Sequence, residues 1–188
     1  MPILSFIFRL RASTAAIVAA ALACLLPLAA AAQPTVAELK AAYIYNFTRY
    51  VEWPAEVAES EEGYFEVCLA GRQGDPLFSA LAELDGKNIR KRPLRIRHVG
   101  LDENLKSCAV MVIEKSDPVL AAEVIQRLKG QPTLTVSSVK NFLDLGGVMS
   151  LVTEGEKVRF DVNLGAARDS NLVLTFQLLK LARTVKQP

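Results

Sequence analysis

Residues Ala109 to Ile113 form an unbroken apolar run, Ala-Val-Met-Val-Ile. A strand with one wet face alternates in polarity. A run without alternation marks a central strand covered on both faces, which demands layers of structure above and below. The flanking sequence supplies them. Thr35-Val-Ala-Glu38 is a capping box, and a helix follows it that ends before Pro54. Its apolar face carries Ala41, Ile44, Tyr45, Thr48 and Val51. A strand is predicted over 64–70, then a helix capped by Asp75 with Pro76 in first position, running to about Leu84. Leu94 to Val99 is the next strand. After the central run, Ser116-Asp117-Pro118 opens a helix that stops at Lys129-Gly130. Thr133 to Ser137 reads as a strand and Val139 to Leu145 as a short helix ended by Gly146-Gly147. Val148 to Thr153 and Val158 to Asn163 form a hairpin around Glu154-Gly155-Glu156-Lys157. Leu164 to about Val185 reads as helical, with a break near Asp169-Ser170-Asn171 and a stripe of Leu174, Leu178, Leu181, Ala182 and Val185. The expected class is α/β: a three-layer, Rossmann-like, mixed but mostly parallel sheet with helices on both faces and a late antiparallel hairpin.

The apolar content is 51% overall, but it is concentrated in the first 32 residues. Arg9 and Arg11 precede a twelve-residue apolar stretch, Ala15 to Leu26, too short for the ~20 residues of a membrane span. Pro27 and the small residues Ala30-Ala31-Ala32 follow. The pattern is that of a secretory signal peptide cleaved after Ala32, leaving one domain over 33–188. An uncleaved anchor is the weaker reading, and a lipoprotein reading through Cys24 is weaker still. Both charges in excess of neutrality, Arg9 and Arg11, belong to this leader, so the remainder is balanced and unsuited to binding nucleic acid.

Export would leave two cysteines, Cys68 and Cys108, in an oxidising compartment. A structural disulfide is favoured over two buried free thiols. The pair is too widely spaced for a redox motif, and with one distant histidine it makes no zinc site. Gly71-x-x-Gly74 lies between a strand and a helix, where backbone N–H groups could hold a phosphate, but Asp75 already sits where an anion would bind. The basic run Lys87, Arg90, Lys91, Arg92, Arg95 and Arg97 could meet an acidic partner; a solvated loop with a charge-protected edge strand is the plainer reading. His98, the one histidine, shares a strand face with Leu94 and Ile96, which argues against general-base work. Arg159 and Asp161 share one strand face, opposite Val158, Phe160 and Val162. A packed strand with a polar row on one side accounts for them, as would an ion pair or a contact surface.

Four segments in order resemble the YfiR-like family of bacterial periplasmic proteins. They are Lys40 to Pro54, with its Trp53-Pro54 end; Val67-Cys-Leu-Ala, then Gly74 to Phe78; Cys108 to Ile113 before Ser116; and Leu134 to Ser137, Phe142 to Gly147, Val158 to Leu164 and Leu178 to Ala182. The resemblance implies an α/β domain without catalytic activity or cofactor. It implies a regulator that binds the periplasmic sensor domain of an inner-membrane diguanylate cyclase, or of another membrane sensor. It further implies an outer-membrane lipoprotein able to sequester the regulator. Cys68 and Cys108 fall at the family's cysteine positions, which supports the bridge. Two departures stand out. Ala109 follows the second cysteine where the family often has histidine, and the later half lacks a second cysteine pair, which weakens redox control through such a pair.

The expected function is thus a periplasmic, non-enzymatic regulatory binding protein acting in cyclic-di-GMP signalling. Arg159, Asp161 and Arg168, in the most family-like late segment, are the candidate partner-binding residues. The alternative is a periplasmic sensor of a small molecule, a nucleotide or amino acid, bound at the strand ends. A homodimer stays open.

Overall fold

The computed structural model describes residues 33–58, 63–72, 74–89, 91–114 and 117–188. The leader with its cleavage point, Cys24, the loop residues Glu59 to Glu62, Arg90 and Ser116 lie outside the described residues. Pro34 to Pro188 makes one compact unit.

Helix α1, Val36–Tyr50, starts as its capping box dictates. The Thr35 hydroxyl accepts from the Glu38 amide at 3.2 Å, and the Glu38 carboxylate accepts from the Thr35 amide at 2.6 Å. These bonds lower the pKa of Glu38, the backbone one most. The helix buries Ala41, Ile44, Phe47 and Thr48, while Tyr45 is half-buried. Its chain then turns extended as β1, Val51–Glu52, followed by a short helix α2, Ala55–Ala58.

The centre of the fold is the pair β2, Phe65–Ala70, and β5, Cys108–Ile113, which run parallel. All six residues of β5 are buried. Between β2 and β5 come α3, Pro76–Ala82, β3, Asn88–Ile89, and β4, Arg92–His98. After β5 come α4, Pro118–Arg127, β6, Leu134–Ser137, β7, Met149–Glu154, and β8, Lys157–Asn163. The chain ends with α5, Leu164–Asp169, β9, Val173–Leu174, α6, Phe176–Leu181, and β10, Thr184–Lys186. Among the described residues the main sheet has eight strands in the order β10-β8-β7-β6-β5-β2-β4-β3. Its pairs are parallel except β3–β4 and β7–β8, and β1 and β9 form a separate antiparallel ladder.

Side chains alternate across this sheet into two cores. Phe65, Val67, Leu69, Val110 and Val112 pack with Ile44, Phe47, Leu77 and Leu81 of α1 and α3. Cys68, Met111 and Ile113 pack with Ala121, Val124 and Leu128 beneath α4. The α/β class with a mostly parallel sheet and a late hairpin is therefore the observed architecture. The hairpin turns on Gly155, at φ 61°, between the paired residues Glu154 and Lys157.

Two local expectations fail. Residues 139–147 form successive turns rather than a helix, because Asn141 adopts the left-handed conformation at φ 59°, which no α-helix propagates. Phe142 still packs inward, and it lies so close to Gly147 that a Cβ there would fall 2.2 Å from the ring. The final segment is also not one long helix. Asn171, at φ 53°, ends α5 where a break was expected, but both flanks of α6 are strands. Val173-Leu174 finds β1, and Thr184 to Lys186 finds β8. Ladder partners outweigh the helical period there. Leu174 and Leu178 are buried as expected, whereas Leu181 is exposed.

Candidate functional site

Helix α4 covers β2, β5 and β6 on one face of the sheet. Beyond them, Ser150 and Val152 of β7, Arg159 and Asp161 of β8, and Thr184 and Lys186 of β10 alternate onto that same face. Among the described residues no helix covers them. A groove of about 690 Å³ runs there, walled by residues 138–144.

The groove is built around one ion-pair fork. Asp161, buried to all but 9%, accepts from Arg183 Nε at 2.9 Å and from Arg183 Nη2 at 2.6 Å. The third guanidinium nitrogen, Nη1, donates to Glu154 at 2.8 Å. Two parallel bonds to one carboxylate fix the plane as well as the distance. The hydrogen bond to Asp161 above all, then that to Glu154, pushes the Arg183 pKa well above its ordinary value, so the charge is permanent. Lys186 on β10 reaches Asp144 of the wall at 2.7 Å. Asn163 ties the same wall to the sheet: its Nδ2 donates to the Leu143 carbonyl and its Oδ1 caps α5 at Ala166.

A second construction lies at the sheet centre. Cys68 and Cys108 are joined by a disulfide with Cα atoms 5.7 Å apart. Glu66 stands opposite Cys108 but Val67 stands opposite Val110, so Ala109 is bulged out of register. Trp53 Nε1 donates to the carbonyl of that bulged residue at 3.3 Å, and Thr133 Oγ1 donates to the carbonyl of Cys108 at 2.9 Å. The buried backbone around the bridge is thus satisfied from both sides of the sheet. Glu66, Cys68 and Cys108 form the one cluster of metal-ligating groups among the described residues. Its sulfurs are bonded to each other, and Glu66 accepts from Ser107 and Arg97.

A family model of YfiR/HmsC-like proteins matches residues 37–183. The chain belongs to the YfiR/HmsC-like family. The family is periplasmic and regulatory rather than catalytic, which supports a periplasmic regulator in general. Among solved structures, a conserved domain protein from Vibrio cholerae superposes with a TM-score of 0.50 at 11% identity over 82% of this chain. The chain spans 62% of that protein's length, and the likeness is one of fold. No helix among the described residues is long and apolar enough to cross a membrane.

In this YfiR/HmsC-like chain the candidate contact residues separate. Arg159 and Asp161 share the uncovered face, but the partner of Asp161 is Arg183, not Arg159. Arg159 is exposed, across from Val152. Arg168 is exposed at the last turn of α5 and does not line the groove. Neither arginine is ion-paired among the described residues. Arg183, Glu154 and Lys186 escaped the sequence reading, because a long final helix would have scattered them. The β-branched pair Thr184-Val185 just after Arg183 was the available signal for a strand.

Among the described residues of the basic run, Lys87, Arg95 and Arg97 make local contacts near the sheet edge, and one expectation is corrected. Arg92 is buried, not solvated: it lies over the Phe65 ring and donates to the Val57 carbonyl. Arg95 stacks on Tyr64 at 3.3 Å, and Lys87 lies 5.9 Å from the Tyr45 ring. Arg97 bonds Glu66 at 2.8 Å and Glu103 at 3.1 Å, and the bond to Glu66 is the main cause of its raised pKa. His98 lies on the Leu94 and Ile96 side, with Nε2 3.1 Å from the Gly71 carbonyl and its ring edge-on to Phe78. Asp75 accepts from the Leu77 amide, filling the place a phosphate would need. At the ends of β5 and β6, Glu114 accepts from Lys40 at 2.9 Å and Ser138 at 3.1 Å. These groups satisfy one another across the crevice where open α/β sheets hold ligands.

Proposed function

We propose that this chain is an exported, non-enzymatic regulator that binds the periplasmic sensor domain of an inner-membrane diguanylate cyclase and holds it inactive. Family membership carries the reading, and the uncovered polar half of the sheet supports it by offering a rigid contact surface. Repression of this kind requires only that the inactive sensor be bound more tightly than the active one. A ratio of about 10⁴ moves a two-state sensor from almost fully on to almost fully off. Asp161, held rigid by Arg183, and the exposed Arg159 present fixed charges on that face. Arg168 extends the contact onto α5. An outer-membrane lipoprotein that competes for the same regulator would relieve the repression. The groove volume would admit a small ligand, but its Arg183, Lys186, Asp144 and Asp161 already pair with one another, which favours a protein contact.

Deleting the gene should raise cellular cyclic-di-GMP, and restoring the wild-type chain should lower it again. The variant Arg159→Glu/Arg168→Glu should fold, by circular dichroism, yet fail to restore repression. Unchanged cyclic-di-GMP in the deletion strain would count decisively against cyclase control.

The leader reading belongs to the same proposal. Intact mass and terminal sequencing of protein from the periplasmic fraction should give Gln33 as the first residue. A full-length chain retained in the membrane fraction would overturn it.

A further inference from the structure

Among the described residues the main sheet ends on β10, and that edge is open. The Arg183 amide donates to the Phe160 carbonyl at 2.8 Å. Thr184, Val185 and Lys186 then stand beside Asp161, Val162 and Asn163 of β8. In a parallel pair, alternate residues of a strand turn their backbone groups toward the same neighbour. Arg183 and Val185 therefore face β8, and the amides and carbonyls of Thr184 and Lys186 point outward. Both residues are exposed. Such a row of outward groups is a template for another strand.

Natural edges are commonly guarded by prolines, by bulges or by lysines that project into solvent. No proline stands within β10, and its register with β8 is regular. Its one lysine, Lys186, is drawn back over the groove to Asp144 at 2.7 Å. The edge is thus left without its usual guard.

The groove beside the edge sets the chemistry of the occupant. Thr184 and Lys186 share the groove face with Asp161, while Val185 turns to the opposite face with Val162. The lining carries three cations, Lys140, Arg183 and Lys186, against two carboxylates, Asp144 and Asp161. Lys186 and Arg183 already engage both carboxylates. Lys140 is exposed and takes part in no ion pair among the described residues. An added strand lays alternate side chains on the two faces. Acidic groups complement the groove row, and apolar ones suit the row beside Val185.

We propose that β10 accepts an extended, acidic segment of another polypeptide as an added strand. Its main chain bonds Thr184 and Lys186, and its carboxylates face Lys140 and Lys186. Strand addition draws affinity from the backbone and specificity from alternate side chains. The site does not depend on which membrane sensor the chain controls.

The probe is an acetylated, amidated peptide of alternating glutamate and valine, titrated into the isotope-labelled exported protein and followed by NMR. The Thr184 and Lys186 amides should shift and exchange more slowly with solvent, while those of Arg183 and Val185 change little. Methylating one alternate set of the peptide's amides should abolish binding, and methylating the other set should not, because only one set faces β10. Thr184→Pro removes an outward amide that β8 does not use, so the variant should keep its circular dichroism spectrum. It should bind the peptide weaker by about tenfold or more, since a peptide carbonyl loses its donor. A peptide of alternating lysine and valine should also bind at least about tenfold weaker, as like charges meet in the groove. A saturable response without change at Thr184 and Lys186 would overturn the proposal, as would no response at all. Equal effects of the two methylation patterns, or equal binding of the lysine peptide, would overturn it too.

Discussion

Trp53→Ala should destabilise the protein by about 3–5 kcal/mol, the usual loss for truncating a buried aromatic. The side chain is 5% exposed, meets Phe65 edge-to-face at 5.2 Å, and donates to Ala109 at the bulge between β2 and β5. Two losses add: the packed volume, and the indole donor to the Ala109 carbonyl. Trp53→Phe separates them. It keeps most of the ring and deletes the N–H, so about 1–3 kcal/mol should be lost, the cost of an unsatisfied buried acceptor. Urea unfolding measures both as a shift in midpoint at constant slope. A phenylalanine variant as stable as wild type would show that the indole bond contributes nothing.

The paired substitution Cys68→Ala/Cys108→Ala should lower stability by about 2–4 kcal/mol. The bridge spans a sequence separation of 40, for which loop-closure entropy alone suggests roughly 4 kcal/mol, and measured bridges often give less. For a chain of this size that is a fall in melting temperature of roughly 5–15 °C by calorimetry. Both cysteines are 0–1% exposed, so a reductant should act only after the sheet opens. Freshly purified periplasmic protein should show no thiol that reacts with iodoacetamide under denaturing, non-reducing conditions. Two reactive thiols would refute the bridge in the native protein.

What could be read from the residues was what the chain specifies locally. The capping box at Thr35, the Asp75-Pro76 and Asp117-Pro118 helix starts, and the apolar run of β5 each carry their own signal, and each stands where it was expected. The failures are of two kinds. At Asn141 a single left-handed residue, unmarked by glycine, breaks a segment whose composition suits a helix. In the last twenty-five residues, Leu174, Leu178 and Leu181 keep a helical rhythm, but Val173 and Thr184 have strands waiting for them at β1 and β8. Those partners lie far away in sequence, so the competition cannot be judged locally. The same failure hid the groove. Asp161 was legible as a polar residue on a strand, but Arg183 could meet it only once β10 lay beside β8.

The bulge at Ala109 places the chain's single tryptophan against the residue that follows Cys108. Its indole is therefore a built-in optical gauge of the sheet centre. Emission should be blue-shifted while the β2–β5 seam is closed, and should redden as soon as that seam admits water. Opening of the bridged core can thus be followed by fluorescence in the unmodified protein, without a label.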